Sequence, residues 1–122
     1  MDEMRLGVVE TRFADIIWQN APIASGELVK LCEADLGWKK STTYTVLKKL
    51  CERGIFQNEQ GTVTSLISKD EFNSRQSEKF IEETFDGSLP AFIAAFTKRK
   101  KISEKEIDEI QTMIDMYRKG ER

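Results

Sequence analysis

The chain has 122 residues, enough for one domain or for a small domain with an appendage. Its 39% hydrophobic and 33% charged residues include no histidine, and no apolar run approaches the roughly 18 residues that cross a bilayer. This composition points away from a disordered chain, a membrane protein, histidine-based catalysis and a histidine-ligated metal. The net charge of −2 is unevenly placed: residues 1–36 sum to −4, 37–69 to +4, 70–97 to −4, 98–101 to +4 and the rest to −2. Any nucleic-acid contact is therefore expected within 37–69.

The opening MDEMRLGVVE has no basic leader followed by an apolar stretch, so no secretory signal is expected and a cytoplasmic location is. A first helix is predicted from about Val9 to Gln19, with Val9, Phe13, Ile16 and Ile17 on one face. Asn20 and Pro22 end it. Ser25 reads as the N-cap of a short second helix through Leu28, Leu31 and Cys32, with Glu27 in its first turn and Leu36-Gly37 at its end.

The third helix is predicted from Lys39 or Lys40 to Arg53, with Gly54 as its stop. Val46, Leu47, Leu50 and Cys51 form its inner face; Ser41, Thr42, Thr45, Lys48, Lys49 and Glu52 face outward. Two β-rich runs follow, Ile55–Asn58 and Thr62–Ile67, joined by a turn over Glu59-Gln60-Gly61. Three helices and then a hairpin is the winged-helix order, although a generic α+β domain gives the same string.

The remaining third is helical. Ser68-Lys69-Asp70-Glu71 is a capping box opening a helix toward Phe85, and Asp86-Gly87 breaks it. Ser88-Leu89-Pro90 restarts a shorter helix through Phe92, Ile93 and Phe96. Ser103-Glu104-Lys105-Glu106 opens a last helix whose Ile107, Ile110, Ile114 and Tyr117 repeat as a coiled-coil-like seam. Phe72, Phe80, Phe85, Phe92, Phe96 and this seam need burial that about fifty residues do not supply alone. Dimerisation through the tail is the expectation, and packing back on the first domain is the alternative. The expected fold is mostly α with a small β-hairpin: a winged helix-turn-helix over 1–69 and a helical dimerisation region over 70–122.

Functional candidates concentrate on the third helix. Thr42, Thr45 and Lys49 recur at i, i+3, i+7, and Ser41, Thr45 and Lys48 at i, i+4, i+7. Hydroxyls near a helix start reach base edges, and lysines attract phosphates. An ordinary solvated face has the same residues. The poor helix formers Ser41-Thr42-Thr43 and Thr45, at the place where a helix must start, tilt the reading toward DNA. Trp18 and Trp38 read as packing anchors. Lys98-Arg99-Lys100-Lys101 is either a phosphate site or a solvated loop. Cys32 and Cys51, separated and without CxxC spacing, suggest neither a disulfide nor a metal centre. No enzyme, cofactor or metal is expected.

The order Ile16-Ile17-Trp18, Ser25-Gly26-Glu27-Leu28-Val29, Trp38 with Thr42 through Leu50, then Arg53-Gly54, resembles the penicillinase-repressor family and its copper-responsive relatives. Phe85-Asp86-Gly87-Ser88 and Phe96 extend the likeness into the tail. The resemblance implies a bacterial homodimeric transcriptional repressor binding a palindromic operator in double-stranded DNA, typically on a TACA/TGTA dyad. It places DNA-reading residues at Lys39, Ser41, Thr42, Thr45 and Lys49, with Lys48 beside them on the same face. It also implies a sensor or regulatory protease that cuts the tail at the position of Ala95-Phe96, where responsive members have Asn-Phe. The chain departs from the family's pattern at Thr62, often basic, and at Leu66 and Ser68, where many members carry Tyr-x-Pro. It lacks the C-terminal Cys-x-Cys pairs of the copper branch. Two rival readings are a winged-helix regulator of another family released by a small ligand, and a protein–protein adaptor that no longer reads DNA.

Overall fold

The computed structural model describes residues 6–120, so the first half of MDEMRLGVVE, in which no leader is expected, lies outside the described residues. The chain divides into two compact units, Met1–Phe80 and Ile81–Arg122. The sequence boundary at 69/70 instead marks the start of a helix whose first turn belongs to the first unit's core.

In the first unit, α1 (Val8–Asn20), α2 (Ser25–Leu36) and α3 (Lys40–Glu52) precede a small antiparallel sheet of β1 (Ile23–Ala24), β2 (Phe56–Glu59) and β3 (Thr62–Ser65), in the order β1-β3-β2. The mostly helical winged helix-turn-helix expected from the sequence is the fold observed. The α1 core face is Phe13, Ala14, Ile16 and Ile17; Val9, expected inside, is exposed. Leu28 and Cys32 bury the inner side of α2, whereas Leu31 lies at its edge, partly exposed. From α3 come Thr43, Leu47 and Leu50, with Val46 and Cys51 only partly buried against the core.

Two local expectations change. Ser25 is not the cap of α2 but its first helical residue; Ala24 caps it in extended conformation because Ile23 and Ala24 pair with Val63 and Thr62 as β1. The wing turn is also tighter than predicted. Glu59 pairs with Thr62, which leaves Gln60 and Gly61 as a two-residue connection with φ of 53° and 85°. Positive φ at both central residues is the primed-turn geometry that matches strand twist, and glycine tolerates it without strain.

Both tryptophans pack as anchors. Trp38 lies 5.2 Å from Phe13 between ring centroids, and Trp18 lies 5.3 Å from Phe56 and 5.4 Å from Phe72. The Trp18 Nε1–H donates to Ser65 Oγ and to the Ile67 carbonyl, both at 3.1 Å, tying the base of the wing to α1.

α4 (Lys69–Phe85) opens with Ser68 Oγ accepting from Glu71 N at 3.0 Å. Ser68 therefore caps a helix. In the second unit, α5 (Leu89–Thr97) starts on Ser88, whose hydroxyl accepts from Ala91 N at 3.1 Å. α6 (Glu104–Arg118) starts on the Ser103–Glu106 capping box. Phe85 meets Phe92 edge-on at 5.6 Å, and Phe92 meets Phe96 at 6.2 Å. Neither α5 nor α6 buries a single residue.

Candidate nucleic-acid interface

α3 starts at Lys40 with Lys39 as an extended N-cap that supplies no side-chain hydrogen bond. A run of serine and threonine is a weak start for a helix, so its formation rests on burying Thr43, Leu47 and Leu50. Gly54, at φ 79°, then turns the chain into the sheet.

That burial fixes which side of α3 faces outward. Lys39, Ser41, Thr42, Thr45, Lys48 and Lys49 are all exposed, and all but Thr43 of the threonines on this helix lie on the outer side. The Thr45 hydroxyl donates to the Ser41 carbonyl at 2.9 Å. Its hydrogen is occupied, so outward it offers oxygen lone pairs and a methyl group. Those groups suit a base amino donor or a thymine methyl in a major groove.

The cations behave differently from one another. Lys49 Nζ lies 3.9 Å from Glu10 Oε2 on α1, while Glu10 Oε1 accepts from Gly7 N at 3.2 Å. An exposed pair of this length is worth about 0–1 kcal/mol, so a phosphate can displace the carboxylate. Lys48 borders a crevice of about 370 Å³ between α3 and β2, with Tyr44, Leu47, Cys51 and Asn58. Lys40, exposed at the first helical position, adds a cation that the sequence reading left out; its place beside Lys39 at the helix start was the available signal. Thr62 is exposed at the start of β3 and brings no charge to the wing.

Burial raises the pKa of both thiols above the ordinary cysteine value, against a smaller lowering from Thr43 at Cys32 and from the Asn58 backbone at Cys51. They are protonated at neutral pH, which suits packing and not nucleophilic or metal chemistry. Among the described residues, no three Cys, Asp or Glu side chains converge on a metal-sized site.

The tail candidates are largely exposed. Phe80, Phe96, Ile107, Ile110, Ile114 and Tyr117 are 40–62% exposed, and Phe85 and Phe92 are half-buried. Within the second unit, Phe92, Ile93, Phe96, Ile107, Ile110 and Ile114 line an apolar groove of about 460 Å³. Ala95 and Phe96 occupy the last turn of α5, their carbonyls accepting from Lys98 N at 3.3 Å and Lys100 N at 3.0 Å. The bond between them is helical, not part of the loop that follows.

A three-helix core, a hairpin wing, and a third helix turning hydroxyls and lysines outward define a winged helix-turn-helix protein. The family model for the penicillinase repressor matches residues 6–116, and the chain belongs to that family, whose members are transcriptional regulators and not enzymes. The chain is 22% identical over 113 residues to the penicillinase repressor of Bacillus licheniformis, covering 89% of this chain and 88% of that protein. It is 18% identical over 117 residues to the penicillinase repressor of Staphylococcus aureus, covering 93% of each. Among the described residues no helix is long and apolar enough to cross a membrane.

Proposed function

We propose that the chain is a homodimeric transcriptional repressor that binds a palindromic operator through α3 and is held as a dimer by its tail. In this reading Ser41, Thr42 and Thr45 meet base edges, while Lys39, Lys48 and Lys49 act on phosphates. The observation that carries it is the placement of Ser41, Thr42, Thr45, Lys48 and Lys49 on the exposed side of one helix of a winged-helix fold, with Lys39 exposed at its N-cap. The apolar tail surface, unburied by α5 and α6 themselves, supports the dimer.

A gel shift on the DNA upstream of the gene tests the reading. Specific binding with a steep salt slope is expected, and equal affinity for random DNA overturns it. Thr45→Ala should cost about 1–3 kcal/mol on the operator and little on random sequence. Lys49→Ala should weaken both and reduce the salt slope by about one. Equal losses for Thr45→Ala on both DNAs would remove it from base reading.

Release by a protease acting on the tail fits the same design, because separating two tethered heads suffices without any change in either. A cut at Ala95-Phe96 requires the last turn of α5 to open, and helix ends open at low free-energy cost. Mass spectrometry of the repressor from derepressed cells should then show a fragment ending at Ala95. An intact chain under full derepression would point to a bound effector instead.

A further inference from the structure

Three elements meet at Ser25: the recognition helix α3, the start of α2 and the wing turn. The Tyr44 hydroxyl, on α3, donates to Ser25 Oγ at 3.1 Å. The backbone N–H of Ser25, at the first position of α2, donates to the Gly61 carbonyl in the wing turn at 2.8 Å. The Ala24–Thr62 pairing of β1 with β3 sets the strand before α2 beside the first residue after that turn. Trp18 holds the other end of the wing through Ser65 and Ile67.

The sequence position of Tyr44 gives the contact its meaning. It directly precedes Thr45 and stands one helical turn before Lys48, yet its own ring is half-buried and turned toward α2. A phenylalanine would fill the same space. The hydroxyl therefore adds orientation: it fixes the roll of α3 against the residue that also carries the wing tip. A helix rolled by a few degrees moves side chains at its outer face by more than the tolerance of a base-edge hydrogen bond.

We propose that Tyr44 and Ser25 are positioning residues for operator discrimination, coupling the wing turn to the recognition helix so that both engage one half-site. This rests on the operator-binding reading above. Neither side chain needs to touch DNA, and neither carries charge, so their loss should spare the electrostatic part of binding.

Tyr44→Phe and Ser25→Ala each remove one hydroxyl, and Ser25→Ala leaves the backbone bond to Gly61 in place. Each is expected to weaken operator binding by about 3- to 10-fold, the worth of one hydrogen bond. Affinity for random DNA should change less than about twofold, with the salt slope unaltered. Because the two hydroxyls act as a pair, the double variant should bind no worse than either single one. Full-length protein is titrated against operator and random duplexes over a salt series, with thermal unfolding measured alongside. Wild-type discrimination in Tyr44→Phe overturns the inference, as do losses that multiply in the double variant. Parallel losses on both DNAs with a lowered Tm would make the contact merely structural. If the wild-type chain itself fails to distinguish the two duplexes, the operator reading falls first, before any variant is compared.

Discussion

A chain ending at Phe80 is expected to be monomeric by light scattering at micromolar concentration. It should bind a two-half-site operator roughly 10²–10⁴-fold more weakly than the full protein. Residues 81–122 form a unit of their own, in which α5 and α6 bury nothing completely and leave an apolar groove about 460 Å³ in volume. Forty-two residues with such a surface lie at the lower end of the size, roughly 40–60 residues, at which a core stands alone, and in the dimer reading a second copy covers it. Joining two heads makes the second half-site contact intramolecular, and that gain vanishes with the tail. The cut belongs after Phe80 and not after Lys69, because Phe72 is part of the first unit's core. Single half-site binding should survive in the truncated chain. A truncated chain that remains dimeric would place the interface elsewhere.

How much of this was legible in the sequence depends on how local each signal is. The outer face of α3 could be read residue by residue, because a 3.6-residue period that buries Leu47 and Leu50 automatically exposes Ser41, Thr42, Thr45, Lys48 and Lys49. The caps at Ser88 and Ser103 were equally clear, since each bonds a backbone group three residues away. β1 was not legible: it has two residues, and its partner Val63 is forty positions on from Ile23. Missing that pairing also misplaced the start of α2, because Ala24 owes its extended conformation to the sheet. Val9 and Leu31 fit the helical period but lie at the edges of their faces, where packing and not periodicity decides burial. The relations of Lys49 to Glu10 and Tyr44 to Ser25 join different elements, and no spacing along the chain announces them.

Phe72→Ala should destabilise the first unit by about 3–5 kcal/mol, even though the residue opens what the sequence presents as a separate tail. Its ring is 3% exposed and packs 5.4 Å from the Trp18 ring, which in turn packs on Phe56 of β2. One turn earlier, Lys69 Nζ lies 2.9 Å from Asp15 on α1, so the start of α4 is fastened to the head by an ion pair as well as by an aromatic cluster. Truncating the phenyl ring leaves a cavity beside Trp18, and the indole also carries the hydrogen bonds that hold the base of the wing. The loss is therefore expected in two readouts, a lower midpoint in urea with an unchanged m-value and, in a Trp38→Phe background that leaves Trp18 as the one tryptophan, a shifted tryptophan emission. With total stabilities of about 5–15 kcal/mol typical, a loss of this size takes a large share of the head's stability. Phe72→Leu, which keeps most of the volume, should cost less than about 1.5 kcal/mol. If Phe72→Ala unfolds at the wild-type denaturant midpoint, α4 contributes nothing to the head, and the first domain ends at Lys69 after all.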